Sequence, residues 1–437
     1  MNRRIAKLTV VLVAGFVVLL VQLTNLGYFS AEDLRAHPRN TRSAIASIGI
    51  ARGAITTADG ETIAPALEGN NDSGSPQLRD YPHGHLYAHI VGYLSPTLGV
   101  AGLERTYNSH LSGSAADISI TRLADLFADS GRVGDLELTV HHGTQLTARA
   151  ALGDRDGAVV VLDPATGAVI AMWSRPSFEP NELTGASDTG ASDTGASDTG
   201  ETGTDPRRQP PLSLAYQRYY ELIAEAPEAD ELIRRAGRSH GVTGVDLPAE
   251  ADGSGSRSDT ALTPLQLALA AAAVANEGAL TRPFVVQRIT ARPASQPAAG
   301  EPSAGSAIEV TEPTAVAQLF DSGEAAELLR QMAAAAEQAS LRLAPTETTQ
   351  TSAAVAEGVV VTVDATTAAV TQIGEWAVLL APAENPVVAV AVVVETDVRL
   401  DADERQPGGT LASLIAATAA EAALARRAIP TSVVDGP

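Results

Sequence analysis

Histidine and serine are the side chains with which this chain could bind a metal or carry out nucleophilic chemistry. His83, His85 and His89 lie within one seven-residue stretch, and imidazoles at such short spacing can bind zinc. No partnered carboxylate follows at a recognised spacing, so we interpret these three as surface or packing histidines. His141 and His142 precede a predicted helix. An imidazole can activate a serine hydroxyl, but nothing in the sequence places a serine beside this pair.

Lysine and cysteine chemistry is almost excluded by composition. The chain has no cysteine, which rules out disulfides, thiolate metal sites and cysteine nucleophiles. It has one lysine, Lys7, near its first residue. A mechanism that needs a lysine elsewhere in the chain is therefore unavailable. Separately, we predict that the protein binds no cofactor.

Length and charge narrow the class of protein further. At 437 residues the chain can form two or three domains. Hydrophobic residues make up 45% but aromatic residues only 4%, so the core must be built from Ala, Val and Leu. The formal charge of −22 argues against nucleic-acid binding, because no basic stripe can neutralise phosphates. An acidic excess of this size favours solubility of the protein surface.

The first element that could position such side chains is a predicted β-hairpin. Ala158 to Leu162 and Ala168 to Trp173 are apolar runs, and the turn between them contains Pro164 and Gly167. Both runs are apolar on nearly every residue, which predicts strands covered on both faces and hence a sheet between helices.

The N-terminus predicts a membrane anchor. Arg3, Arg4 and Lys7 precede an apolar run that begins at Leu8, and about 20 apolar residues span a bilayer. We predict a cytoplasmic tail at 1–7, one membrane helix at 8–28 and the rest of the chain outside the cell membrane. A cleaved signal peptide is the alternative, but no clean small-x-small cleavage site follows.

Further along the chain, composition predicts one disordered loop and several helices. Gly-Ala-Ser-Asp-Thr repeats three times from Gly185 to Thr199, and such small polar residues cannot bury enough surface to fold. We predict a low-complexity loop at 184–211. Helical spacing predicts helices at Leu212–Ala226, Glu228–Gly237, Ala261–Gly278, Thr314–Ser340 and Leu411–Arg427.

Several of these stretches resemble class B penicillin-binding proteins in the same order. They are Arg52-Gly53-Ala54-Ile55, Gly99 to Glu104, the hairpin with Pro176-Ser177-Phe178, and Thr263-Pro264-Leu265-Gln266. The resemblance implies an α/β (α+β) fold. A mixed pedestal domain at 31–136 would carry a transpeptidase-like domain at 137–430, with a central antiparallel sheet covered by helices on both faces.

In this family the pedestal contacts partner proteins and lifts the catalytic domain off the membrane. The resemblance therefore makes Arg52, Gly53 and Glu104 our candidates for structural or partner-binding residues. We interpret Arg52 and Glu104 as turn and interdomain salt-bridge residues rather than as a binding site.

The catalytic motifs that the resemblance implies are missing or replaced. The family uses Ser-x-x-Lys, whose lysine can serve as the base, and Ser-x-Asn. Its third motif, Lys-Thr-Gly on a sheet-edge strand, binds the substrate carboxylate. The first should fall between Asn181 and Leu212, where the repeats stand. The second falls near Ser213-Leu214-Ala215, which lacks the Asn, and the third near Val361-Thr362-Val363. We assign no catalytic residue.

These observations predict a membrane-anchored, catalytically inactive homologue that acts as scaffold or regulator in peptidoglycan synthesis during cell division or elongation. Its expected partners are cell-wall synthesis or division proteins. Three alternatives stay open: an active D,D-transpeptidase with a non-standard site, a vestigial cleft that binds muropeptide noncovalently, and a product under no functional constraint.

Overall fold

The computed structural model describes residues 15–16, 22, 50–67, 78–96, 98–115, 131–184, 210–211, 213–218, 220–224, 226–237, 261–294, 306–346, 349–363, 370–396 and 410–428. Its strands are β1 (Ile55–Thr56), β2 (Thr62–Ala64), β3 (Leu94–Ser95), β4 (Gly99–Val100), β5 (Arg132–Leu138), β6 (Gly157–Leu162), β7 (Val169–Arg175), β8 (Tyr220–Ala224), β9 (Ala261–Leu262), β10 (Ala279–Thr281), β11 (Val286–Pro293), β12 (Ser306–Val310), β13 (Ala315–Gln318), β14 (Leu343–Thr346), β15 (Thr349–Thr351), β16 (Ala354–Val363), β17 (Val370–Ala381) and β18 (Val388–Thr396). Its helices are α1 (Ala88–Val91), α2 (Gly102–Thr106), α3 (Asn108–Leu111), α4 (His142–Leu152), α5 (Pro180–Thr184), α6 (Pro227–Gly237), α7 (Pro264–Ala275), α8 (Ser322–Gln338) and α9 (Leu411–Ala428).

The predicted hairpin is confirmed and forms one side of a seven-stranded sheet. Strands β6 and β7 pair antiparallel, and the strand order is β7-β6-β18-β17-β16-β8-β9. Every residue from Val388 to Val394 on β18 is at most 1% exposed. Because successive side chains point to opposite faces, this strand must be covered on both sides, as the apolar runs predicted.

Two groups of helices provide that cover. Helices α6, α7 and α8 contact one another. Helices α4 and α9 contact each other and form a second group, in which α9 packs against β17 and β18 and α4 packs against β6 and β7. Helix α7 begins at Pro264 after the N-cap Thr263, whose hydroxyl accepts from the backbone of Gln266. All but the last residue of α7 is buried, since its Ala- and Leu-rich sequence has no polar face to leave in water.

The pedestal is built around a second, five-stranded sheet. Its strand order is β12-β11-β5-β1-β2. Strand β5 pairs parallel to β1 and antiparallel to β11. The domain boundary predicted after residue 136 therefore lies inside β5, and β11 and β12 reach this sheet from much further along the chain. Buried residues of both regions belong to one continuous hydrophobic core.

Two predicted helices were wrong in part. The described residues between 212 and 226 contain a turn and strand β8 rather than a helix. Tyr220 and Leu222, two residues apart, are both buried, while the next residue, Ile223, is 52% exposed. This alternation is the period of a strand. The helix predicted from Thr314 begins only at Ser322, after the N-cap Asp321, because Ala315–Gln318 pairs with β10.

The predicted anchor and loop fall mostly outside the described residues. Of the anchor at 8–28, only 15, 16 and 22 are described, and of the loop at 184–211 only Thr184, the last residue of α5, and 210–211. Within the part of the chain that the structure describes, no helix is long and apolar enough to cross a membrane.

Candidate functional site

The serine at the second motif position lies in a buried turn ahead of β8. The side chain of Ser213 is fully buried, and its hydroxyl shares a hydrogen bond of 3.1 Å with the hydroxyl of Ser174 on β7. The Ser213 backbone N–H donates to Oε1 of Gln217 at 2.7 Å. Ala215, in the motif's Asn position, is buried and accepts from the backbone of Leu265 at the start of α7.

The two hydroxyls have no base among the hydrogen-bond partners that the described residues provide. Across the described residues, no imidazole or carboxylate hydrogen-bonds to Ser174 or Ser213. A serine hydroxyl is a weak nucleophile until an adjacent base removes its proton. Within the described residues, the two hydroxyls form a buried contact with each other.

The three pedestal histidines point to different partners. Nε2 of His83 lies 2.8 Å from a carboxylate oxygen of Glu61, and His85 lies 3.7 Å from Glu179. His89 is buried, and its Nε2 lies 2.9 Å from the carbonyl oxygen of Pro176. Burial lowers the pKa of His89 to about 4. Among the described residues, no group of three His, Asp or Glu side chains could hold a metal ion.

His141 and His142 lie at the junction of pedestal and sheet domain. Nδ1 of His142 is 2.9 Å from the hydroxyl of Tyr87, and its backbone N–H donates to Asp59 at 3.0 Å. The backbone N–H of His141 donates to Ile170 at 2.9 Å. Burial, with help from the positive charge of Arg426, lowers the pKa of His141 to about 4. The structure brings neither imidazole into hydrogen-bonding contact with the two buried serines.

Arg52 and Glu104 meet in a buried ion cluster inside the pedestal. Nε of Arg52 donates to Oε2 of Glu104 at 2.6 Å, and Nε of Arg79 donates to Oε1 at 2.7 Å. All three side chains are at most 1% exposed. Burial alone raises the pKa of the Glu104 carboxyl, but the two guanidinium groups outweigh it and hold that pKa below its ordinary value.

Gly53 and Arg79 complete the surroundings of this cluster. The Gly53 N–H donates to the carbonyl of Leu111 at 2.9 Å, and a Cβ on Gly53 would collide with the carbonyl oxygen of Gly134. Only glycine allows this approach of two backbones. Sequence analysis did not find Arg79, because it is 25 residues from Glu104 and no motif surrounds it.

Gln145 joins the pedestal to the sheet domain, a role that its sequence position did not reveal. Its side-chain amide pairs with the backbone of Met172 as a neighbouring strand would. Nε2 donates to the carbonyl of Met172 at 2.8 Å, and Oε1 accepts from the Met172 N–H at 2.9 Å. Nε2 also donates to the carbonyl of Leu86 in the pedestal at 3.0 Å. Gln145 is fully buried, so all three bonds are shielded from water.

The strand that the resemblance assigns to the third motif is β16. It contains no lysine, and it is not at the edge of the sheet. Strand β17 pairs with it on one side, and β8, followed by β9, on the other. The family's sheet-edge position is therefore internal in this chain.

Comparison with known proteins agrees with this architecture. A model of the penicillin binding protein A dimerisation domain matches residues 52–135, and a model of the penicillin binding protein transpeptidase domain matches residues 228–416. Together they cover more than half of the chain. An antiparallel sheet between helical groups, seated on this pedestal, is the fold of a penicillin-binding protein. The chain belongs to the class B penicillin-binding protein family.

Similar relatives include the peptidoglycan D,D-transpeptidase PbpA of Mycolicibacterium smegmatis, 35% identical over 42% of this chain and 38% of the relative. The peptidoglycan D,D-transpeptidase MrdA of Acinetobacter baumannii is 34% identical over 24% of this chain and 19% of the relative. The chain thus aligns with well under two thirds of either relative.

Solved structures share the fold over a longer stretch. A penicillin G acyl-enzyme complex of penicillin-binding protein A from Mycobacterium tuberculosis has a TM-score of 0.63 at 22% identity, covering 86% of this chain and all of that chain. Penicillin-binding protein 3 from the same organism has a TM-score of 0.59 at 17% identity, covering 89% of this chain and 98% of that chain. At these identities the likeness concerns the fold alone.

Proposed function

We propose that this protein is a non-catalytic class B penicillin-binding protein that acts as a scaffold or regulator in peptidoglycan synthesis. The carrying observation is the state of the serine at the second motif position. Ser213 is buried against Ser174, and the only lysine in the chain is Lys7. A serine transpeptidase of this family depends on lysine as its base, so the chain keeps the fold without the means to form an acyl-enzyme.

The location of the protein is part of this proposal. The basic residues before the predicted membrane helix at 8–28 favour a single membrane anchor with the pedestal and sheet domain outside. The expected partners are cell-wall synthesis or division proteins, reached through the pedestal and the lateral surface. Retention in the membrane fraction after alkaline washing supports the anchor, and release into the wash contradicts it.

An active D,D-transpeptidase with a non-standard site is the second candidate. The two sequence relatives described above, from Mycolicibacterium smegmatis and Acinetobacter baumannii, are both named peptidoglycan D,D-transpeptidases, which favours this candidate. It requires acyl transfer without a lysine, and the described residues offer no histidine or carboxylate bonded to Ser174 or Ser213 in its place.

Acylation separates the two candidates. The full-length protein is incubated with a fluorescent penicillin and its intact mass is recorded, with penicillin-binding protein A of Mycobacterium tuberculosis as positive control. We expect no mass increase. A stoichiometric adduct would overturn the proposal, and the variants Ser213→Ala and Ser174→Ala would then show which hydroxyl reacts.

A further inference from the structure

Strand β8 occupies the side of β16 that would otherwise be the edge of the large sheet. The register pairs Ala224 with Gly358, Ile223 with Val359, Leu222 with Val360 and Glu221 with Val361. An exposed sheet edge is a binding site for extended peptides, because its unpaired N–H and C=O groups accept an added strand. Here those groups pair with the chain itself.

The sequence of β16 is adapted to this close approach at Gly358. A Cβ on Gly358 would collide with the carbonyl oxygen of Ile223 and come within 2.6 Å of the indole nitrogen of Trp376. That same carbonyl accepts a hydrogen bond of 3.1 Å from the Trp376 indole. A side chain on the neighbouring strand β17 thus holds β8 in place through a gap that only glycine leaves open.

A second anchor holds the beginning of β8. Tyr220 is 1% exposed, and its hydroxyl donates to Oε1 of Glu395 on β18 at 2.8 Å. The guanidinium of Arg218 lies 5.5 Å from the Tyr220 ring centre and 3.5 Å from the same carboxylate oxygen. Burial, and then the negative charge of Glu395, raises the pKa of Tyr220. The hydroxyl therefore stays a donor over the whole accessible pH range.

The outer side of β8 is covered as well. Tyr220 pairs with Leu262 and Glu221 with Ala261 on β9, and both β9 residues are buried. The next residue is Thr263, the N-cap of α7. On this side of the sheet, β9 is therefore followed directly by a buried helix.

We infer that β8 is an internal ligand of β16: the chain fills its own peptide-accepting edge, so no extended peptide binds there by strand addition. This inference deepens the proposed function and rests on it, because it explains how the fold remains closed without a substrate-binding edge.

The absence of cysteine allows a direct test by disulfide cross-linking. Opposed residues of antiparallel strands have Cα atoms about 4.5–5.5 Å apart, within the range that a disulfide spans. We expect near-complete oxidation of an Ile223→Cys/Val359→Cys full-length variant, seen as loss of free thiol and of two hydrogens in the intact mass. The control pairs Ile223→Cys with Val361→Cys, a diagonal position about 7–8 Å away, and should oxidise far less. Equal oxidation of both variants would overturn the pairing.

Hydrogen exchange on the unmodified protein provides the second measurement. Residues 220–224 should be protected as strongly as 388–394 on β18, and exchange at the rate of free peptide would overturn the inference. Calorimetry with a purified cell-wall stem peptide then tests the consequence. No heat, or equal heat with the unmodified and cross-linked proteins, supports an occupied edge. Heat that cross-linking abolishes would show that β8 leaves β16 and would refute it.

These outcomes are separable from failure of the proposed function. A penicillin adduct with intact β8–β16 cross-linking would refute the absence of catalysis and leave the strand pairing standing. No adduct combined with failed cross-linking would do the reverse.

Discussion

Glu104→Gln should be among the most destabilising single substitutions in the pedestal. Glutamine preserves the size of the side chain and removes its charge. Arg52 and Arg79, both at most 1% exposed, would then be buried without a counter-ion. Each guanidinium donates to a separate carboxylate oxygen at 2.6 and 2.7 Å, so the substitution disturbs both ion pairs at once.

The size of the effect follows from burial. Removing one partner of a buried ion pair costs about 3–5 kcal/mol, because the remaining charge stays in a poorly polarisable environment. That is a large share of the roughly 5–15 kcal/mol by which a domain is stable. The pKa of Glu104 is lower in the folded state. Its stabilising contribution is therefore fully present above the unfolded value of about 4.3 and is lost as pH falls further.

Urea unfolding at neutral pH, followed by circular dichroism, measures this change. The matched control is Glu327→Gln on α8, whose ion pair with Arg330 is exposed and should contribute at most about 1 kcal/mol. If Glu104→Gln lost no more stability than this control, the buried cluster would not be stabilising the pedestal, and our account of Arg52 and Glu104 would be wrong.

Three further predictions concern the junction, the strand pairing and pH. Gln145→Leu should cost about 3 kcal/mol in urea unfolding, because it leaves buried groups of Met172 and Leu86 without partners. Gly358→Ala should cost about 1–3 kcal/mol and speed hydrogen exchange over 220–224, because its Cβ would displace Ile223. Because folding holds the pKa of His89 at about 4 against an ordinary 6.5, the unfolded chain takes up the proton first. Stability should therefore fall by roughly 3 kcal/mol as pH drops from 6.5 to 4, and His89→Gln should remove that part of the pH dependence.

Each of these has a control or a contrary result. Thr147→Ala, a half-buried position on the same helix as Gln145 whose side-chain hydrogen bond is exposed to solvent, should change stability by less than about 0.5 kcal/mol. A similar loss at both sites would deny Gln145 its bridging role. Gly143→Ala is the control for Gly358→Ala. A Cβ on Gly143 would meet nothing within 4 Å, so this substitution should leave stability unchanged or raise it. An unchanged pH profile in His89→Gln would mean that other groups account for the acid sensitivity.

Local sequence was sufficient for the elements whose signal is complete within one stretch. The hairpin of β6 and β7 was predicted from two apolar runs and a Pro-Gly turn, and helix α7 from its Thr-Pro start and Ala-Leu body. Both elements are buried on every side, so an apolar local sequence without a polar face was enough to predict them. Residues 212–226 carried a helical spacing that β8 overrides, because the open side of β16 offers a row of backbone hydrogen bonds that no local pattern contains.

Sequence alone determined which side chains are available: the chain has one lysine, Lys7, and no cysteine, however it folds. Tertiary structure alone decided the pairings. Arg79 joins Glu104 across 25 residues, Glu395 meets Tyr220 across 175, and Gly358 makes room for Ile223. Composition is a property of the whole chain and does not depend on the fold. A buried charge or a strand edge, in contrast, contacts its partner only when distant segments pack together.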